Sequence, residues 1–285
     1  MSAFTRWDFT TPDGLTLVGE VGGPPDAPTV ILLHGGGQTR HSWSRTMNSL
    51  VGGGYRVINY DARGHGESAW SPTGDYSIQA LAADLRAVRA TVHGPVAFVG
   101  ASMGGLTGFY TVGSGEPPAA QALVMVDIVL SVASAGVEKI RRFMQGHRNG
   151  FADLAEAVEA VIAYNPERPR PRDPSGLRRN LRQGDDGRLY WHWDPRLLDV
   201  SPSSEPPSRL DALVSISSRV HIPTLVIRGG RSDIVNDEGI AEMRRLVPQT
   251  QVYEVPAAGH MVAGDQNDAF SAGVVSFLDR HFPAA

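Results

Sequence analysis

Between Val96 and Gly105 the chain reads Val-Ala-Phe-Val-Gly-Ala-Ser-Met-Gly-Gly. An apolar, β-branched run of the kind that fills a buried strand breaks at a glycine, presents one serine, and returns to glycine before a helical pattern resumes. A strand that passes straight into a helix turns so tightly that a Cβ on either side of the corner would meet backbone, and glycines at 100 and 104 remove it. The G-x-S-x-G order therefore puts Ser102 on a sharp strand-to-helix turn with its hydroxyl above the end of the strand. A serine so placed is a nucleophile only if the chain also supplies a histidine base, a carboxylate to orient that base, and N–H donors for an oxyanion.

The rest of the chain is organised to bring such groups to one edge. Trp7 to Thr10 and Leu15 to Val21 flank Thr11-Pro12-Asp13-Gly14, a turn sequence that closes an opening hairpin. Thr29 to Leu33 is a continuous apolar strand that ends at His34-Gly35-Gly36-Gly37, and Gln38 to Val51 reads as a helix. Tyr55 to Tyr60 is the next strand, leading into Asp61-Ala62-Arg63-Gly64-His65-Gly66-Glu67-Ser68. Ile78, Leu81, Leu85, Val88 and Val92 recur at helical steps, and the serine strand follows. Leu123 to Asp127 is a further short apolar strand, Thr224 to Arg228 returns to the buried type, and Gln251 to Val255 is a last strand. Their alternation with helices indicates βαβ units and a parallel sheet.

That alternation stops between Val129 and Ser208. No buried strand is visible there, whereas Val137, Ile140, Met144 and Leu154, Val158, Val161, Ile162 have helical spacing. Prolines crowd 165–174 and 201–207 and punctuate the helices. A block of helices inserted between parallel strands cannot join the sheet, so it is expected to sit on it as a cap. The organisation expected is residues 1–128 and 209–285 as two parts of one core, with 129–208 as the cap.

Each candidate for chemistry lies at or just beyond the C-terminal end of an expected parallel strand, where open α/β sheets place their sites. Ser102 is the nucleophile. His260 follows the last strand in a glycine-containing loop and is preferred as base among nine histidines. Two aspartates end strands after the serine, Asp127 and Asp233. The usual order of nucleophile, acid and base, with the acid after the next-to-last strand, favours Asp233; Asp127 is the alternative. The oxyanion donors expected are the backbone N–H groups of Met103 and Gly36. Trp191 and Trp193, together with Gly35, are candidates to line a substrate pocket, the tryptophans being equally suited to fill the junction between cap and core. The residues Asp61, Arg63, His65 and Ser68 suggest a metal or phosphate site on composition, yet fit better as a glycine-punctuated turn pinned by its own hydrogen bonds.

With 285 residues, 41% of them apolar, the chain can fill one large core. A formal net charge of −4 without long runs of one sign points away from nucleic acid and anionic membranes. The absence of cysteine removes disulfides, a thiol nucleophile and thiolate metal sites. Neither a leader-like start nor a ~20-residue apolar run is present, and a cytoplasmic protein, monomeric or homodimeric, is the expectation.

These residues together resemble the α/β-hydrolase superfamily, in the capped, cofactor-free branch that holds esterases, lactonases, C–C bond hydrolases and non-haem haloperoxidases. His34-Gly35-Gly36-Gly37, Asp61 to Ser68, Gly100 to Gly105, Asp233 and Gly259-His260 carry the resemblance, which spans nearly the whole chain. It implies a mostly parallel eight-stranded sheet flanked by helices, a helical cap after the sixth strand, a Ser102, Asp233, His260 triad, and no cofactor or metal. A serine at position 102 separates the chain from the epoxide hydrolases and haloalkane dehalogenases of this fold, which carry aspartate there. The expected activity is hydrolysis of a carboxylic ester or lactone of a small hydrophobic substrate. Perhydrolysis or haloperoxidation and C–C cleavage on the same residues are alternatives, and so is a small-molecule receptor that keeps the fold without turnover.

Overall fold

A computed structural model describes residues 4–115, 118–166, 173–198, 209–256, 258–260 and 268–284. Much of the first proline-rich stretch, all of the second, and Met261 lie outside the described residues. Among the described residues ten strands are formed: β1 (Phe4–Thr10), β2 (Thr16–Gly22), β3 (Thr29–Leu33), β4 (Arg56–Tyr60), β5 (Val96–Ala101), β6 (Ala122–Val126), β7 (Leu181–Gln183), β8 (Leu189–Trp191), β9 (Thr224–Gly229) and β10 (Thr250–Val255). Eight of them make one sheet in the order β1-β2-β4-β3-β5-β6-β9-β10. The pairs β1/β2 and β2/β4 are antiparallel, and every pair from β4 to β10 is parallel.

The apolar runs are continuous because both faces of the sheet are covered. Ile31 and Leu33 of β3 and Val96 and Phe98 of β5 point into one core, with Leu85, Phe109 and Leu213. Their neighbours Val30, Leu32, Ala97 and Val99 point into the other, with Trp43, Met47, Phe270 and Leu278. The helices that cover the two faces are α1 (Ser44–Gly52), α2 (Ile78–Ala90), α3 (Met103–Gly113), α6 (Arg209–Ser217), α7 (Asp237–Leu246) and α8 (Asp268–His281). The helix expected from Gln38 starts later, as a 3-10 turn over Arg40–Trp43 that passes into α1. Among the described residues no helix is long and apolar enough to cross a membrane.

Between β6 and β9 the chain leaves the sheet. It forms α4 (Ser134–Gln145), α5 (Leu154–Tyr164), two 3-10 turns at Pro174–Asn180 and Pro195–Leu198, and the hairpin β7/β8. The expectation of helices alone is thus corrected: Leu181 pairs with Trp191 and Gln183 with Leu189, and Phe151 bridges to Leu189. The insertion has its own apolar cluster, built from Met144, Phe151, Ala157, Val158, Leu177, Leu189, Trp191 and Trp193. It is tied to the strand ends by Asp194 N–H donating to Gly64 O at 2.9 Å and Gly66 N–H donating to His192 Nδ1 at 2.6 Å.

Candidate active site

Ser102 is the corner between β5 and α3, at φ 45° and ψ −113°. A non-glycine residue in this region carries backbone strain of about 1–3 kcal/mol, which the surroundings must hold in place. They do so from both sides: Ser102 N–H donates to Val126 O of β6 at 3.0 Å, and Leu106 N–H donates to Ser102 O at 3.0 Å. The flanking glycines are sterically required. A Cβ on Gly100 would lie 2.3 Å from the Gly104 carbonyl carbon, and one on Gly104 would lie 2.4 Å from Leu33 O. The serine is half-buried, as is Met103, the first residue of the helix.

Asp127 ends β6 in a left-handed conformation, φ 48°. That turn aims its side chain along the strand ends toward β9 and β10. Oδ1 accepts from Gly229 N–H at 2.9 Å; Oδ2 accepts from Ser232 Oγ at 2.8 Å and from His260 Nδ1 at 2.7 Å. Asp127 is 3% exposed and His260 8%. The carboxylate thus receives three donors, and donation through Nδ1 leaves Nε2 as the acceptor nitrogen of the ring.

His260 reaches this position because the chain after β10 crosses directly over Gly229 and Gly230. A Cβ at 229 would meet Ala258 O at 2.6 Å, and one at 230 would meet Pro256 O at the same distance. Gly230 N–H donates to Val255 O and Arg231 N–H to Ala258 O, both at 2.9 Å, which pins the crossing.

Asp233, favoured by chain order, is not the carboxylate that meets His260. Its backbone carbonyl packs where a Cβ on Gly136 would be, and its Oδ2 takes an ion pair at 2.8 Å from Lys139 of α4. The position on the β9 loop that faces Asp127 belongs to Ser232, a residue that chain order does not single out.

The His34-Gly35-Gly36-Gly37 loop lies alongside the serine. A Cβ on Gly35 would stand 3.5 Å from Ser102 Cβ. Gly35 N–H donates to Gln38 Oε1 at 3.0 Å and Gly37 N–H to His65 Nε2 at 3.2 Å. Among the described residues Gly36 N–H has no partner, and Gly36 is half-buried. Two rings support the loop from beneath. His34 donates from Nδ1 to Gly35 O (2.8 Å) and accepts Ala62 N–H on Nε2 (2.9 Å). His65 donates from Nδ1 to Arg63 O (3.1 Å) while holding Gly37. Burial lowers His34 to about 4 and His65 to about 3, and drives His192, whose ring is tilted against that of His65, well below the usual histidine range.

The Asp61 to Ser68 segment is a pinned turn. Asp61 is fully buried; its Oδ1 accepts Arg40 N–H (2.7 Å), and its Oδ2 accepts Glu67 N–H (3.0 Å) and the Arg40 guanidinium. Ser68 Oγ donates to Asp61 O (2.6 Å), and Arg63 forms a bidentate pair with buried Asp84, both contacts at 2.6 Å. Among the described residues no group of three or more His, Asp or Glu side chains is placed to hold a metal ion.

The two tryptophans have different positions from those expected of pocket walls. Trp191 is packed among Phe143, Phe151 and Trp193 in the insertion's core. Trp193, stacked on it at 4.8 Å, is the one that reaches the glycine loop, where its ring lies 3.4 Å from a Cβ built on Gly37. With Met144, His147, Arg182 and Tyr190 they line a cavity of about 30 Å³, which is water-sized.

Comparison with known proteins agrees with this fold. A family model described as the alpha/beta hydrolase fold matches residues 28–265. The chain is 31% identical over 261 residues to the esterase Rv0045c of Mycobacterium tuberculosis, covering 89% of this chain and 83% of that protein. It is 27% identical over 270 residues to the sn-1-specific diacylglycerol lipase ABHD11 of Mus musculus, covering 90% and 82%. Among solved structures, an alpha/beta hydrolase from Novosphingobium aromaticivorans superposes with a TM-score of 0.80 at 24% identity, covering 98% of this chain and 99% of the other.

Proposed function

We propose that this chain, which belongs to the α/β-hydrolase family, is a serine hydrolase that cleaves a carboxylic ester or lactone of a small hydrophobic substrate through an acyl-enzyme on Ser102. The observation that carries the reading is the buried 2.7 Å hydrogen bond from His260 Nδ1 to Asp127 Oδ2, the aspartate following directly on Val126, whose carbonyl accepts the N–H of Ser102 at the strained elbow. The names of the similar proteins, an esterase and a lipase, support ester chemistry.

In this reading Ser102 Oγ attacks the carbonyl carbon while His260 Nε2 takes its proton. The oxyanion that forms receives the N–H groups of Gly36 and Met103, the second at the positive end of α3. Collapse of the tetrahedral species breaks the C–O bond, and His260 returns the proton to the leaving alcohol. Water, deprotonated by the same imidazole, then attacks the acyl-enzyme and frees Ser102. Asp127 holds the Nδ1–H tautomer and stabilises the imidazolium. The insertion between β6 and β9 serves as the cap, with Trp193 as its contact on the oxyanion loop.

Hydrolysis of p-nitrophenyl esters of increasing acyl length tests this. Turnover should peak at one chain length and fall by at least about 10³-fold in Ser102→Ala. A Ser102→Ala protein with full turnover, or tight binding of hydrophobic esters without hydrolysis by the unaltered protein, would contradict it.

A further inference from the structure

We propose that Ser232 is the positioning residue that fixes the acid of this site, an inference that rests on the serine-hydrolase reading above. The side chain has one proton and two lone pairs. Both lone pairs are occupied, by Ile234 N–H at 3.2 Å and Val235 N–H at 3.0 Å. Those two residues are 2% and 1% exposed, so water cannot take over their amides. The hydroxyl proton is left one destination, Asp127 Oδ2, 2.8 Å away. Its direction is thereby determined by the backbone of the loop after β9.

The consequence for the acid is geometric. Gly229 N–H holds Oδ1, and Ser232 holds the same Oδ2 that faces His260 Nδ1. With both oxygens anchored the carboxylate cannot rotate about its Cβ–Cγ bond, and Oδ2 stays in line with the imidazole. The polarised chain from two amides through the hydroxyl to Oδ2 also shares that oxygen's charge between Ser232 and His260. Other charged groups nearby are engaged elsewhere: Asp233 with Lys139 of α4, and Arg228 with Asp237 of α7. Among the described residues of the loop after β10, His260 is the titratable group that meets Asp127.

Ser232→Ala removes the donor, and Ser232→Thr keeps it. In the alanine variant kcat should fall about tenfold with KM unchanged, since the misaligned group acts through His260 and not on substrate. Oδ2 then gives its charge to the imidazole alone, the imidazolium becomes harder to deprotonate, and the acid limb of kcat/KM moves to higher pH. The threonine variant should restore both. Proton NMR of the His260 Nδ1–H resonance supplies a readout that does not depend on turnover: it should shift in Ser232→Ala and stay in Ser232→Thr. An alanine variant with a lowered melting temperature but an unmoved pH profile and resonance would overturn the proposal and leave Ser232 a loop support. Failure of the underlying reading shows separately, as a fluorophosphonate that does not label Ser102 in the unaltered protein.

Discussion

His34 and His65 each use one ring nitrogen to accept a backbone N–H and the other to donate to a carbonyl. Protonation would set N–H against N–H at buried rings, so folding keeps both neutral. Their folded pKa values, about 4 and about 3, lie below the usual 6.5. The unfolded chain therefore takes up protons first as pH falls. The stability these rings contribute should be full above about pH 6.5 and decline at up to ~1.4 kcal/mol per pH unit per histidine down toward pH 4. Urea titrations at pH 7, 6 and 5 measure it; a flat pH dependence would contradict the hydrogen-bond assignment. Arg63 gives a second test at this scale. Arg63→Ala leaves Asp84, 2% exposed, without its bidentate partner, and should cost about 3–5 kcal/mol in the same titrations. At single residues the sequence was most ambiguous over the acid. Both Asp127 and Asp233 lie between the serine and the histidine, the usual place of the acid after the next-to-last strand favours Asp233, and the positive φ at Asp127 that turns its side chain toward His260 leaves no trace in residue type.

Elements were legible where they are long or buried on both sides. The strand β5, the corner at Ser102 and the helix α3 follow from the alternation of apolar run, glycine, serine and glycine, and the steric contacts show why. Gly104→Ala puts a methyl 2.4 Å from Leu33 O, a backbone atom of the central strand that has nowhere to move. The variant should lose at least about 3 kcal/mol in urea titration or fail to fold, whereas Gly36→Ala, with open space at its Cβ, should fold normally. The hairpin β7/β8 was not legible because strands of three residues are too short for a period to show, although Gly184-Asp185-Asp186-Gly187 between them is a turn sequence. Trp191 and Trp193 were ambiguous for a related reason. An aromatic pair with alternating spacing looks the same whether it lines a pocket or fills the core of a small hairpin unit.

Across the whole molecule the site is a property of the sheet. Six parallel strands end on one side, and β3, β4, β5, β6, β9 and β10 deliver the glycine loop, the Asp61 turn, Ser102, Asp127, Ser232 and His260 to that edge. The central strands were readable because burial on both faces makes them continuously apolar. The arrangement of the insertion over that edge was not, since it depends on contacts between residues far apart in the chain, such as Gly66 with His192. The placement of His260 on Asp127 is the same kind of contact, 133 positions apart, and it separates this account from the one that chain order favours. The rate at which a fluorophosphonate labels Ser102, followed by intact mass, tests it directly. Asp127→Asn should slow labelling by about 10³–10⁴-fold, while Asp233→Asn, which removes a half-exposed ion pair with Lys139, should label within about threefold of the unaltered protein. Rapid labelling of Asp127→Asn together with loss of labelling in Asp233→Asn would contradict the assignment of the acid.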